Sequence, residues 1–378
     1  MSGLKVLIAA NRIAELTGSE LYVTELASAL AERDVKVALF CFQRGKLGRQ
    51  FEKRTGIRVF GPNDVLELRR FAPDIAHTHH LTTFNLAGEV LPGVPRVHGF
   101  LGVLPHLTYP PATLAEAHRV FAVSERVRDK VLQRAPGIGA VEIVRNWFDD
   151  KLLVPMDEMN WPDNKVHRVL VVSSNNSPER DTALRTLEAE GLISVTRLGG
   201  RGNRVPITGE LLRRHDVVIS IGRTVLLAAA VGVPCIVADQ RMSDGLLSHE
   251  NMDLLAPLNF TGRHFRQAIT ASHLRQEILR VKEIDRLVLS RKACAEYGLS
   301  GRARHFLSIY EDVVREAAAA SRAQPAVLRG EGLTYLDLAR SNATLRKRLA
   351  KTKASLARAR RPDLLTRIAR RLKRVLAR

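Results

Sequence analysis

Cysteine is scarce. The three in the 378-residue chain, Cys41, Cys235 and Cys294, lie far apart, so neither a disulfide framework nor a zinc knuckle is expected. Cys41 and Cys235 fall within apolar runs, which fits a reducing, cytoplasmic setting. Long hydrophobic stretches are also missing. The longest, 225–238, is interrupted by Gly232 and Pro234 and falls short of the roughly 20 residues needed to span a bilayer. The N-terminal MSGLKVLIAANRIAEL lacks a longer apolar core followed by a small-residue cleavage site, and reads as a first strand rather than a signal peptide. Aromatic residues make up 5% of the chain, and no basic stretch is interleaved with them. With no recognisable RNA- or DNA-binding module either, nucleic acid is not an expected partner.

Positive charge is what the chain has in excess, 59 Lys and Arg against 39 Asp and Glu, and it is unevenly placed. Residues 321–378 carry 17 basic and 3 acidic side chains, leaving a body that is nearly ordinary. The length allows two or three domains with real cores.

Residues 1–148 alternate β-branched runs (5–9, 35–42, 75–78, 96–98, 120–124) with helical patterns, among them 19–32. Strand, helix, strand in that rhythm predicts a parallel sheet with crossovers. Thr17, Gly18 or Ser19 can cap the first helix, whose free amides would favour an anion. A second series occupies 168–300, with strands near 168–174, 193–198, 216–221 and 235–239. Between them, 149–167 carries Pro155, Pro162 and little periodicity, and reads as a linker. The expected fold class is α/β: two doubly wound Rossmann-like domains facing a cleft. A helix at 301–320 is placed to cross back. The tail, 321–378, is predicted helical, with an imperfect heptad over 335–356, a break at Pro362, and a basic amphipathic segment at 363–378.

Ligands of open α/β sheets sit beyond the carboxyl ends of the strands, so the loops there hold the candidates. Gly18 and Ser19 open the first helix, but without the full spacing of a dinucleotide or P-loop motif. His77, His79 and His80 follow in DIAHTHH, and His98 in RVHGF. The H-x-H spacing admits a metal, yet no partnering carboxylate or helical H-x-x-x-H is present. Hydrogen bonding to a polyhydroxylated or phosphorylated ligand, or satisfied burial, are the other readings. Gly222, Arg223 and Thr224 form a turn after a strand, either a nucleotide-facing site or a plain helix start.

In order and spacing, TGSELYVTELASALAERDVKV, DIAHTHH, RVHGF, VFAVSERVRDKVL, VEIVRNWFDD and DVVISIGRTVLLAAAVGVPCIVAD resemble nucleotide-sugar-dependent glycosyltransferases of the GT-B fold, in particular family 4. The resemblance runs over roughly 4–315. LNFTGR at 258–263 is similar to a bacterial subgroup with a compact second domain, in which a G-R-[ST] turn stands in the donor region. The resemblance implies that Gly18 and Ser19 approach the donor diphosphate, that Arg180 pairs with it, and that Gly222, Arg223 and Thr224 face the nucleotide. It implies that His98 sits near the transferred sugar as the catalytic-site histidine, with His77, His79, His80, Ser124, Glu125 and Asn146 shaping the cleft or the acceptor side. Asn146 and Asp149 match the family's N-G-[VI]-D, with Trp147 replacing its glycine. Leu227 stands where the family places a glutamate that accepts the ribose hydroxyls, and Ser173, Ser174, Asn175 and Asn176 stand where it has an arginine.

The function expected from the resemblance is therefore glycosyl transfer from a nucleotide sugar to a glycan or lipid-linked acceptor, with retention of configuration. No cofactor is expected, and without a D-x-D pair, no metal. A noncatalytic scaffold that keeps the fold is the alternative that Leu227 raises; a sugar-nucleotide epimerase ranks lower for want of carboxylates. Segment 363–378 is expected to meet an anionic membrane surface and 335–356 to self-associate, placing the protein at the cytoplasmic face of the cell membrane.

Overall fold

The computed structural model describes residues 3–103, 108–154, 166–199, 205–320 and 330–359. The amphipathic segment 363–378 and most of the proline-containing linker lie outside them.

The first domain runs β1 (Lys5–Ile13), α1 (Gly18–Ala31), β2 (Lys36–Arg44), α2 (Lys46–Thr55), β3 (Val59–Phe60), α3 (Val65–Phe71), β4 (Ile75–Thr78) and α4 (Leu81–Val90). It continues with β5 (Arg96–Phe100), β6 (Arg119–Ala122), α5 (Glu125–Arg134) and β7 (Val141–Ile143). Its seven strands form one parallel sheet in the order β3-β2-β1-β4-β5-β6-β7. Val6 to Ala10 are buried without alternation, as a strand covered by helices on both faces requires.

The second domain holds β8 (His167–Val172), α6 (Pro178–Ala189), β9 (Ile193–Leu198), α7 (Gly209–Arg213), β10 (Val217–Ser220), α8 (Arg223–Ala230) and β11 (Cys235–Ala238). After these come β12 (Met242–Leu246), α9 (Met252–Leu255), β13 (Gln267–Ala268), α10 (Ala271–Leu279) and α11 (Arg286–Tyr297). The sheet order is β13-β12-β11-β10-β8-β9. Most of this sheet is parallel, but β12, a strand outside the expected series, runs antiparallel to both β11 and β13. Only Asp239–Arg241 separates β11 from β12, too short for a crossover, so the chain turns back as a hairpin.

The chain crosses between domains twice, side by side. Phe148 donates its amide to Tyr297 O (3.1 Å) and accepts from Leu299 N (3.0 Å). Helix α12 (Leu299–Ala319) then returns to the first domain, adding Leu299, Ala303, Phe306, Tyr310 and Val313 to its core.

Helix α13 (Glu331–Ala359) docks by its first turns on α4. Glu89 accepts the amides of Gly332 (2.9 Å) and Leu333 (2.8 Å), Asn85 donates to Glu331 (2.6 Å), and Leu336 is buried against Leu86 and Leu91. Gly332 is required at this contact, because a Cβ there would lie 2.5 Å from the Leu86 backbone. Farther along, Leu338, Leu345 and Leu349 are 54%, 59% and 54% exposed.

Candidate functional site

In each sheet the strand order reverses at a point where a crevice must open: between β1 and β4, and between β8 and β10. The loops leaving β1, β8 and β10 meet. Together they line a cavity of 370 Å³ with mixed polar and apolar walls, which include Gly18, Ser19, Tyr22, Leu101, Asn146, Val172, Gly222, Arg223, Thr224 and Asn259. A larger cavity of 940 Å³ shares Gly18, Ser174, Arg223 and Thr224 with it and continues towards the crossover past Glu25, Trp147, Leu152, Ile207 and Leu227. The two are lobes of one cleft between the domains.

Local sequence explains each wall. Helix α1 starts at Gly18 with no side-chain cap from Thr17, so its first amides remain available to an anion. Glu20 turns back, accepting from Ala14 N (2.9 Å) and from Arg12 Nε (2.7 Å), and fixes the loop. On the cleft side of α1, Gly18, Tyr22 and Glu25 recur at helical spacing. Opposite, Gly222 takes φ 61° and ψ −130° at the start of α8, a backbone state that disfavours any side chain.

Among the described residues, Arg223 is the only basic side chain lining the small cavity. Its Nε donates to Trp147 O (3.1 Å), its Nη1 to Gly18 O (3.2 Å), and its Nη2 to Glu25. Trp147 Nε1 donates to the same Glu25 oxygen (3.0 Å), while the indole packs on Tyr22 with centroids 3.8 Å apart and planes tilted by 33°. Burial raises the Glu25 carboxyl above the usual carboxylate range, against the pull of Arg223 and with a further push from Asp149. Asn146 also bridges the domains, donating to Asn259 (2.9 Å).

Of the sequence-derived candidates, Gly18, Ser19, Asn146, Gly222, Arg223 and Thr224 therefore meet at one cavity. The others do not. His98, expected beside the transferred sugar, is wholly buried inside the first domain, bonded to Thr78 Oγ1 (2.7 Å) and edged by Phe84 and Phe100. His77 and His79 share a face, as their spacing implies, but that face is the core. His77 Nδ1 is bonded to Tyr310 OH (2.5 Å) and His79 Nδ1 donates to Gly99 O (3.1 Å). His80 accepts from Asn11 N (3.1 Å) at the start of α4. His77, His79 and His98 are buried because β4 and β5 lie inside a sheet covered on both faces, a placement that a strand end does not show in sequence. Arg180, expected on the diphosphate, is 4% exposed and donates to Asn175 O (3.2 Å) beneath the loop that lines the cavity. Ser124 caps α5, and Glu125 grips Arg145 at 2.6 and 2.8 Å, which reaches across to Ala256 O (3.1 Å). Among the described residues, no three His, Cys, Asp or Glu side chains are grouped to hold a metal.

Burial dominates the titration of the histidines. It lowers His79 to about 3 and His80 to about 4, and holds His77 and His98 well below the ordinary 6.5. Below pH 6.5 the unfolded chain therefore binds protons that the folded one refuses. Stability should be level above 6.5 and fall beneath it by about 1.4 kcal/mol per pH unit for each such histidine, until its folded value is reached. Denaturant unfolding at pH 7 and pH 5 measures this; equal midpoints would contradict it.

Tyr22, Glu25, Trp147 and Asn259 complete the site without having been singled out for a role in the cleft. For Glu25 and Tyr22 a signal existed, their helical spacing from Gly18. For Asn259 the sequence offered only its place in the LNFTGR segment.

Residues 16–152 match the profile of Glycosyltransferase Family 4. No curated protein matches the chain by sequence. Among solved structures, a glycosyltransferase from Rickettsia africae superposes with a TM-score of 0.60 at 14% identity, over 83% of this chain and 100% of that one. A protein assigned as a UDP-N-acetylglucosamine 2-epimerase from Listeria monocytogenes reaches 0.50, also at 14% identity, over 86% and 99%. Likeness at such identity speaks for the fold. The chain is a two-domain protein of the GT-B fold, and over residues 16–152 it resembles glycosyltransferase family 4.

Proposed function

We propose that this protein is a glycosyltransferase that moves a sugar from a nucleotide-sugar donor to a glycan or lipid-linked acceptor, in cell-surface polysaccharide synthesis. The observation that carries the reading is the convergence of two helix N-termini, at Gly18 and Gly222, and of Arg223 on a single interdomain cavity. A leaving nucleoside diphosphate gathers negative charge, and amides and a guanidinium aimed at it stabilise that charge without a metal. Gly18, Ser19, Arg223 and Thr224 would hold the diphosphate. Asn146 and Asn259 offer amides to sugar hydroxyls. Retention of configuration belongs to this reading through the family resemblance. The assay is release of nucleoside diphosphate from each common nucleotide sugar in the presence of bacterial lipid-linked glycans and no divalent metal. One donor should be consumed.

A noncatalytic reading is favoured by one observation: Leu227, 4% exposed, presents hydrocarbon to the larger lobe. A leucine cannot accept a hydroxyl hydrogen, so under this reading no donor is consumed.

Location rests on the tail. Helix α13 is fastened by Glu89 yet bares Leu338, Leu345 and Leu349 along a helix rich in Lys and Arg, and the basic segment 363–378 follows. No described helix is long and apolar enough to cross a membrane. Contact with an anionic membrane from the cytoplasmic side fits this pattern, as does self-association along 335–356. The full chain should co-sediment with phosphatidylglycerol vesicles and a chain ending at residue 320 should not; equal pelleting would remove the tail from the account.

A further inference from the structure

Arg223 is the cation that the proposed function needs, yet the first domain has already engaged it. A guanidinium grips a phosphate best through two parallel N–H groups. In Arg223 the edge formed by Nε and Nη2 is committed to Trp147 O and Glu25, and Nη1 to Gly18 O. The pair is shielded, with 17% of the Arg223 side chain and 14% of Glu25 exposed, so little water screens it. Glu25 does not depend on Arg223 alone, because Trp147 Nε1 supplies a second hydrogen bond. The carboxylate thus occupies the position of an anionic ligand and cancels the charge that would attract one. The contact also joins α1 of one domain to α8 of the other, beside the crossover at Phe148.

We propose that Glu25 is an internal stand-in for the donor's diphosphate: it holds Arg223 and the two domains together in the unloaded protein, and an incoming diphosphate displaces it by taking over the guanidinium. Loading then exchanges an intramolecular ion pair for an intermolecular one. The ligand gains Arg223 only by giving up the Arg223–Glu25 contact, so Glu25 weakens binding of any diphosphate and discriminates against ligands with a single negative charge. Glu25 is a positioning residue in this scheme, acting through Arg223. The inference rests on the cleft being a diphosphate site, as proposed above, but needs no particular sugar or base.

The experiment is calorimetric titration of the full chain with inorganic pyrophosphate, which contains neither sugar nor nucleoside. Glu25→Gln keeps an oxygen for Trp147 and removes the charge, and its pyrophosphate Kd should fall about tenfold relative to the wild type. In an Arg223→Gln background the same change should do nothing. Glu25→Asp, one methylene shorter, should tighten binding to a lesser degree, and serves if the glutamine variant does not fold. Equal or weaker pyrophosphate binding by the folded Glu25 variants overturns the inference, as does a gain that persists without Arg223, or no measurable binding by any form. Because pyrophosphate binding and nucleotide-sugar turnover are read separately, a chain that turns over no donor but shows the Glu25 effect would refute the transferase and keep the stand-in.

Discussion

Arg223→Gln is expected to lower kcat/KM for sugar transfer by about 100- to 1000-fold, the loss typical when one preorganised donor to a developing oxyanion is removed. Among the described residues no other basic side chain lines the small cavity, so none of its described walls substitutes for the lost charge. The fold should tolerate the change. A glutamine amide can still donate to Glu25 or to Trp147 O, and the helix N-terminus at Gly222 does not depend on the guanidinium. The loss should fall on kcat as well as KM, because charge on the diphosphate grows as the glycosidic bond breaks. Wild-type kinetics in the variant would remove Arg223 from the chemistry.

Trp147→Ala is expected to act in the opposite way, on stability first. Trp147 is completely buried, packed on the tilted Tyr22 ring, edged by Phe306 at 6.3 Å and bonded to Glu25. Truncating a buried tryptophan of this kind costs about 3–5 kcal/mol through lost transfer energy and the cavity left behind. For domains of this size that lowers the melting temperature by about 10 °C. The same residue carries the backbone carbonyl that holds Arg223 Nε, so activity should drop even at temperatures where the variant stays folded. A melting temperature within 2–3 °C of the wild type, a shift worth about 1 kcal/mol, would show that the indole is not the packing element that ties the crossover to α1.

The two-domain architecture was legible because parallel strands and crossover helices write their alternation directly into the chain. So were the glycine turns at Gly18 and Gly222 that open α1 and α8, since glycine and helix starts are local signals. Four strands carry no readable pattern in the sequence. Val59–Phe60 and Gln267–Ala268 are two residues long and have no period, Val141–Ile143 is little longer, and Met242–Leu246 carries Ser243, Asp244 and Gly245, which do not look like a strand until the sheet buries them. The histidines misled for the reverse reason. Their polarity suggested a cleft, whereas Tyr310, Thr78 and Gly99 satisfy one nitrogen of each inside the core. Arg180 lay near the right loop in sequence but on the buried side of its helix. The Arg223–Glu25 contact spans 198 positions, and no local pattern encodes such a pairing.

The central claim is that the interdomain cleft binds a nucleotide sugar through Arg223. Calorimetric titration of the full chain, metal-free, with UDP-, GDP-, dTDP- and ADP-linked sugars tests it most directly, with Arg223→Gln as the paired sample. One nucleotide should bind the wild type and lose most of its affinity in the variant. Silence across the whole panel, or binding that Arg223→Gln leaves unchanged, would contradict the account.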